Sequence, residues 1–351
     1  MDDREARRRV ASRLRHQAGA PEPLYQPLLR ALADDVEAGG PSWRPLAPVA
    51  HLPDDDVVPL RLLGAAHRLA LTGLAPDYAA HLPTCGGDGD PGAAWHALRD
   101  LCASGGLDQG TLQPVQTNEP ARAAALLPGF GEVAARTGLP LRLLEVGASA
   151  GLLLRFDAYR YEIGQETWGP PASPVQITAA GGAPLGPVEV RARRGCDLRP
   201  LDPTRDATLL LSFVWPSDVE RFRRLQAALA LAATIPVTID EAGAAAWLEA
   251  QLVTPSEGVL TVVYHSIVWQ YLSTAERAAA RSAIEDAGRR ADASAPVAWL
   301  RLEPHPEPGA GAELRLTTWP GPGEEVLALC GYHGGPIRWY RGAPGGPAPA
   351  A

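Results

Sequence analysis

The segment that most restricts the fold is LRLLEVGASAGLLL, residues 141–154. Leu141–Val146 is a short apolar run, as expected of a strand buried on both faces of a parallel sheet. It ends in a turn of small residues, Gly147, Ala148, Ser149, Ala150 and Gly151, and the chain then reads as entering a helix. Small residues at such a turn let a ligand approach the backbone, and a helix N-terminus offers N–H groups without partners inside the helix.

Downstream the pattern repeats. Val188–Arg193, Ile235–Ile239, Gly258–His265 and Val297–Leu302 read as strands, and Val219–Ala233, Ala242–Leu252 and Thr274–Arg290 have helical period. Strands alternating with helices imply right-handed βαβ units and a doubly wound, mostly parallel α/β sheet. Glu313–Trp319 and Val326–Cys330 flank a Pro-Gly-Pro-Gly turn and predict a C-terminal antiparallel hairpin. Residues 158–190 are expected to form an insertion, with a small hairpin of Tyr159–Ile163 and Val175–Thr178.

Upstream of residue 140 no strand is expected. Ala6–Gln17, Leu24–Glu37, Val57–Leu71 and Ala93–Ala103 read as helices separated by Pro and Gly, and Ala123–Leu127 as a short helix closed by Pro128-Gly129. The expected organisation is therefore a helical region over 1–135 and an α/β domain over 136–340. Residues 341–351, rich in Pro, Gly and Ala, read as a disordered tail.

Composition narrows the function classes. A net charge of −8 argues against a general nucleic-acid binder. All 32 basic residues are Arg, which excludes a Schiff-base lysine and a P-loop lysine. Cys85, Cys102, Cys196 and Cys330 are scattered and form no C-x-x-C pair, so no metal site is expected. The charged, helical start and the absence of any apolar run near the ~20 residues that span a bilayer point to a cytoplasmic protein with no membrane partner.

Two chemistries fit the glycine turn. Its E-x-G-x-x-x-G spacing resembles motif I of Rossmann-like S-adenosylmethionine-dependent methyltransferases. That resemblance implies a cofactor held by Glu145, Gly147, Ala148, Ser149 and Gly151. The dinucleotide fingerprint G-x-G-x-x-G is not met, because Ser149 stands where its second Gly belongs. The same residues also spell G-x-S-x-G, the nucleophile elbow of an α/β-hydrolase, in which Ser149, Asp240 and His265 would fall in the right chain order.

In the methyltransferase pattern the next strand ends in an acid for the ribose hydroxyls, and Asp197 in GCDLRPLD has that place, a vicinal diol being well matched by a carboxylate. Asp240, after the third strand, is placed for the adenine amino group; capping a helix is its plain alternative. His265, at the end of the fourth strand, is placed to deprotonate an acceptor. Trp269 and Tyr271 could stack on a substrate, with Glu303 and His305 as lesser candidates. Asn118, Glu119 and Arg122 are candidates for a wall of the substrate site; a helix cap and an i,i+3 ion pair would explain them equally.

The clusters QTNEPARAAALLP, LLEVGASAG, GCDLRPLD, FVWPSDVERFRRL and VVYHSIVWQYL, in that order, resemble domain of unknown function 2332, a family met mainly in actinobacteria. The resemblance covers roughly residues 5–340 and implies no particular reaction. The expected function is methyl transfer from S-adenosylmethionine to a small molecule. The alternatives are a ligand-binding protein of the same fold without catalysis, and a serine hydrolase centred on Ser149. The oligomeric state is not legible.

Overall fold

The computed structural model describes residues 2–19 and 22–340 of the chain, so the expected tail lies outside the described residues. The chain forms two compact units. One comprises Met1–Thr117 and Arg205–Gln226, the other Asn118–Thr204 and Ala227–Ala351.

The first unit is helical. It contains α1 (Asp3–Gln17), α2 (Tyr25–Ala38), α3 (Trp43–Leu46), α4 (Val58–Leu71), α5 (Pro76–Ala79) and α6 (Pro91–Ser104). On α1 the buried residues Ala6, Val10, Ala11 and Leu14 recur at helical spacing, and the Asp2 carboxylate caps the start by accepting from Arg4 N–H at 2.8 Å. Asp90 caps α6 in the same way, with Pro91 at the first helical position. These stripes meet in one core with Leu28, Leu32, Leu62 and Leu98.

The chain returns to this unit much later, through α8 (Ala207–Ser212) and the first part of α9 (Val219–Ala232). Gly64 on α4 makes room for the return, since a Cβ there would lie 2.6 Å from the Phe213 ring. His67 fixes it. The buried imidazole donates from Nδ1 to the Ser212 carbonyl at 3.1 Å and accepts at Nε2 from the Thr84 hydroxyl at 2.8 Å.

The second unit is mixed α/β and carries a large, mostly parallel sheet. Its strands are β1 (Leu141–Val146), β2 (Arg160–Ile163), β3 (Glu166–Trp168), β4 (Gln176–Ala179), β5 (Gly181–Gly182), β6 (Val190–Asp197), β7 (Thr238–Glu241), β8 (Leu260–Ser266), β9 (Val297–Pro304), β10 (Ala312–Trp319), β11 (Gly323–Cys330) and β12 (Ile337–Trp339). Nine of them form one sheet in the order β7-β6-β1-β8-β9-β10-β11-β12-β5. The pairs among β7, β6, β1, β8 and β9 are parallel; β10, β11 and β12 continue antiparallel from β9. Helix α7 (Ala123–Thr137) packs on the face carrying Tyr264, Leu300 and Leu314; α10 (Ala244–Leu252) and α11 (Thr274–Arg290) pack on the face carrying Val263 and Trp299.

Several expectations change. The glycine turn after β1 leads into a 3-10 segment, Leu153–Ala158, irregular at Arg155, instead of an α-helix. The crossover from β1 to β6 then builds a separate three-stranded sheet, β3-β2-β4. In it β2 and β3 form the hairpin, while β4 lies parallel to β2, so Tyr159–Ile163 and Val175–Thr178 do not form a hairpin. Helix α7 runs through Pro128, which costs one backbone bond to Ala124 without ending the helix. Strand β6 extends to Asp197, and β7 begins at Thr238, so Asp240 lies inside a strand and does not cap α10. No helix among the described residues is long and apolar enough to cross a membrane.

Candidate functional site

In a sheet of this order the chain leaves β1 toward β6 on one side and later returns to β8 on the other, and crevices form at the carboxyl ends where the order reverses. The glycine turn sits at that point. Gly147, Ser149 and Gly151 take φ values of 73°, 49° and 67°, a region that glycine adopts freely and serine rarely does.

The turn is tied down from below. The Gly147 and Ala148 N–H groups donate to the Cys196 carbonyl at 2.9 and 3.0 Å, joining it to the end of β6. Ser149 N–H donates to Asp197 Oδ2 at 2.9 Å, and Arg199 N–H to Asp197 Oδ1 at 2.8 Å. Burial raises the Asp197 carboxyl above the usual aspartate range, against the pull of these two donors. Buried Arg155 donates from Nη1 to the Ala150 and Gly151 carbonyls at 3.0 and 2.8 Å, and from Nε to the Ile235 carbonyl at 2.7 Å. A Cβ on Gly147 would lie 2.4 Å from Val268, so the loop after β8 packs directly on the turn.

The pleat sorts the other candidates onto two faces. Glu145 pairs in register with Tyr264, and Val146 with His265, so Glu145 and His265 point to opposite sides of the sheet. On the α7 side, Tyr264 Oη donates to Glu145 Oε2 at 3.0 Å. Burial pushes the Glu145 carboxyl up to about 8, against the opposing Tyr264 bond, so it holds its proton at neutral pH. Asn118 donates from Nδ2 to Ser149 Oγ at 2.7 Å. Buried Arg122 donates to the Tyr332 carbonyl at 3.0 Å and reaches both oxygens of Ser266 at 3.4 Å. Glu119 Oε1 accepts from Ala121 N–H at 3.0 Å, as the cap of a short turn.

On the other side, the fully buried His265 imidazole shares 2.6 Å between Nδ1 and Glu303 Oε1. Trp269 lies flat against it, with ring centroids 4.6 Å apart and planes at 12°. Tyr271 is 58% exposed. His305 is held by Glu313 at 3.2 Å, outside this cluster. Asp240 is also apart. It takes both guanidinium bonds of Arg194 at 2.6 and 2.8 Å and the Trp247 indole at 2.6 Å, and Arg194 holds its carboxyl below the usual range.

The structure thus gathers Glu145, Asn118, Ser149 and Asp197 around the turn, with Arg122 at the end of β8. It commits Asp240 to an ion pair and gives His265 a different carboxylate, so the series Ser149, Asp240, His265 does not form a triad. Tyr264 and Arg155 were missed by the sequence reading. Tyr264 adjoins His265 in sequence, but only the register with β1 brings it to Glu145; for Arg155 the one signal is a lone charge inside LLLRF. A cleft of about 270 Å³ lined by Arg136, Leu260, Val297 and Trp319 opens at the amino ends of β8 and β9, the opposite end from these residues. No group of His, Cys, Asp and Glu among the described residues is arranged to hold a metal ion.

No curated protein and no solved structure matches the chain. A bacterial family described as uncharacterized conserved proteins, DUF2332, matches residues 7–339, and the chain belongs to that family.

Proposed function

We propose that the second unit binds S-adenosylmethionine and serves methyl transfer to a small-molecule acceptor. The observation that carries this reading is the Asp197 carboxylate, set at the carboxyl end of β6 against the glycine turn where the strand order reverses. Two backbone donors occupy Asp197, and a carboxylate offers about four lone-pair sites, so acceptor capacity remains for a vicinal diol. Asp240 is committed to Arg194 and Trp247, and the adenine contact expected of it is not part of the proposal.

The cofactor supplies an electrophilic methyl group. The chain supplies position: Asp197 and the turn hold the cofactor, and alignment of acceptor and methyl carries most of the rate. Glu145, protonated at neutral pH, keeps a second negative charge away from Asp197 beneath the turn. His265 lies on the opposite face from Glu145, and as a base it would take the acceptor's proton where the two faces meet at the carboxyl end of β8.

Calorimetric titration with S-adenosylmethionine and S-adenosylhomocysteine tests this. The wild type should bind both, and Asp197→Ala should weaken binding by about tenfold or more, the worth of a charge-assisted hydrogen bond. Absence of binding to the wild type rejects the proposal. Binding without turnover on any acceptor supports the non-catalytic alternative. The hydrolase reading keeps one supporting observation, the positive φ of Ser149 within G-x-S-x-G. A fluorophosphonate probe that labels the wild type and spares Ser149→Ala would replace the methyltransferase reading with it.

A further inference from the structure

Unpartnered buried polar atoms are costly, and several of them lie together on the α11 side of the sheet. Among the described residues of this face, His265 Nε2, Glu303 Oε2, Trp299 Nε1 and Arg301 Nε are buried without hydrogen-bond partners, and the Arg301 guanidinium lies 4.3 Å over the Trp299 ring. They belong to one cluster, since the His265 and Trp299 ring centroids are 6.0 Å apart and Glu303 bonds His265. His265 and Trp299 are 0% and 2% exposed, so water cannot satisfy them from the surface.

Glu303 organises the cluster. Its Oε1 accepts from His265 Nδ1, from Val268 N–H at 3.2 Å and from Trp269 N–H at 3.3 Å. A carboxylate oxygen only accepts, so Nδ1 carries a proton, and in the neutral ring Nε2 then keeps its lone pair. The same three bonds hold the start of the loop after β8. Ile267 in that loop has φ of 52°, a costly conformation for a β-branched residue, and strain of this kind is characteristic of segments that must move or bind. Half-buried Trp269 then lies over the imidazole.

We propose that His265 and Glu303 form a proton-accepting pair whose bare Nε2 receives an O–H or N–H proton from a small-molecule ligand, with Trp269 as the side chain that closes over it. In the step the ligand's O–H or N–H bond breaks, its electron pair stays on the ligand, an Nε2–H bond forms, and Glu303 balances the imidazolium. Glu303 is a positioning residue here. The inference deepens the acceptor side of the proposed function and rests on it only for the ligand's being the methyl acceptor.

Two measurements on the full chain test it without any cofactor. In ¹⁵N-histidine-labelled protein, with His265 assigned by His265→Gln, the wild type should show the Nδ1–H tautomer, and Glu303→Ala should shift it toward the Nε2–H form. Acylation of His265 by diethyl pyrocarbonate, read by peptide mass spectrometry, should be slow in the wild type. It should quicken by about tenfold or more in Trp269→Ala and less in Trp269→Phe, in variants whose near-ultraviolet circular dichroism is retained. An Nε2–H tautomer in the wild type overturns the pair, whether or not the Trp269 variants fold. Equal acylation rates in folded variants overturn the closing role of Trp269. Failure to bind S-adenosylmethionine leaves both readouts intact, so the two proposals fail separately.

Discussion

Glu145 gives the sharpest test of how the sheet manages charge. Folding moves its carboxyl from 4.5 up to about 8 because β1 buries it among apolar groups on the α7 face. Between those values the unfolded chain releases the proton and the folded chain keeps it, so the folded state binds more protons and stability falls as pH rises. The contribution is fully present below pH 4.5 and is lost as pH passes about 8. Each pH unit inside the window costs ~1.4 kcal/mol. Raising the pH from about 5.5 to about 7.5 should therefore cost the wild type about 2.5 kcal/mol that Glu145→Gln does not lose. Gln has the same shape, does not titrate, and still accepts from Tyr264. The assay is urea denaturation of both proteins at the two pH values, comparing the change in their difference. Parallel behaviour, or a wild type that gains on the variant as pH rises, would refute the burial argument.

His67 carries the opposite sign. Burial lowers it from 6.5 to about 4, so the unfolded chain takes up a proton that the folded one refuses, and stability present above pH 6.5 drains away toward pH 4; His67→Gln should flatten urea melts over that range by about 3 kcal/mol at most. Gly195→Ala would place a Cβ 2.6 Å from the Ala148 Cβ and 3.2 Å from Leu154 Cδ1, and should cost about 1–3 kcal/mol in thermal or urea melts through overpacking. Asp240→Asn should cost about 1 kcal/mol or less, because Arg194 is half exposed, and should leave S-adenosylmethionine binding unchanged in calorimetry; a large loss of affinity would restore the adenine contact.

What could be read from the sequence follows from where the sheet is dry. β1 is buried along almost its whole length, so its apolar run and the glycine turn announced themselves, and β8 and β9 did likewise. β6 becomes buried only at Gly195 and Cys196, and its earlier VRARR stretch looks like surface, so its end was misplaced. β7 has a single neighbour and no fully buried residue, and its hydrophobic signal is correspondingly thin. The candidate residues can be picked out one at a time, by type and position. Their division between two faces cannot, because Glu145 and His265 are separated by a pleat whose phase depends on pairing strands more than a hundred residues apart. The partner of His265 is hidden for the same reason: Asp240 and Glu303 are equally good acids on paper, and only the pairing of β8 with β9 brings Glu303 near.

The return of residues 205–226 to the helical unit also bears on how the protein is made. A ribosome releases Met1–Thr117 first, yet that stretch lacks α8, the Ser212 carbonyl that His67 needs, and the Phe213 ring that fills the notch at Gly64. Until residue 226 emerges, the first-synthesised unit waits as an incomplete helical assembly, while β1 through β6 of the other unit are already outside. Order of synthesis and order of completion therefore differ, and a chain cut after residue 117 should behave as a fragment and not as a domain.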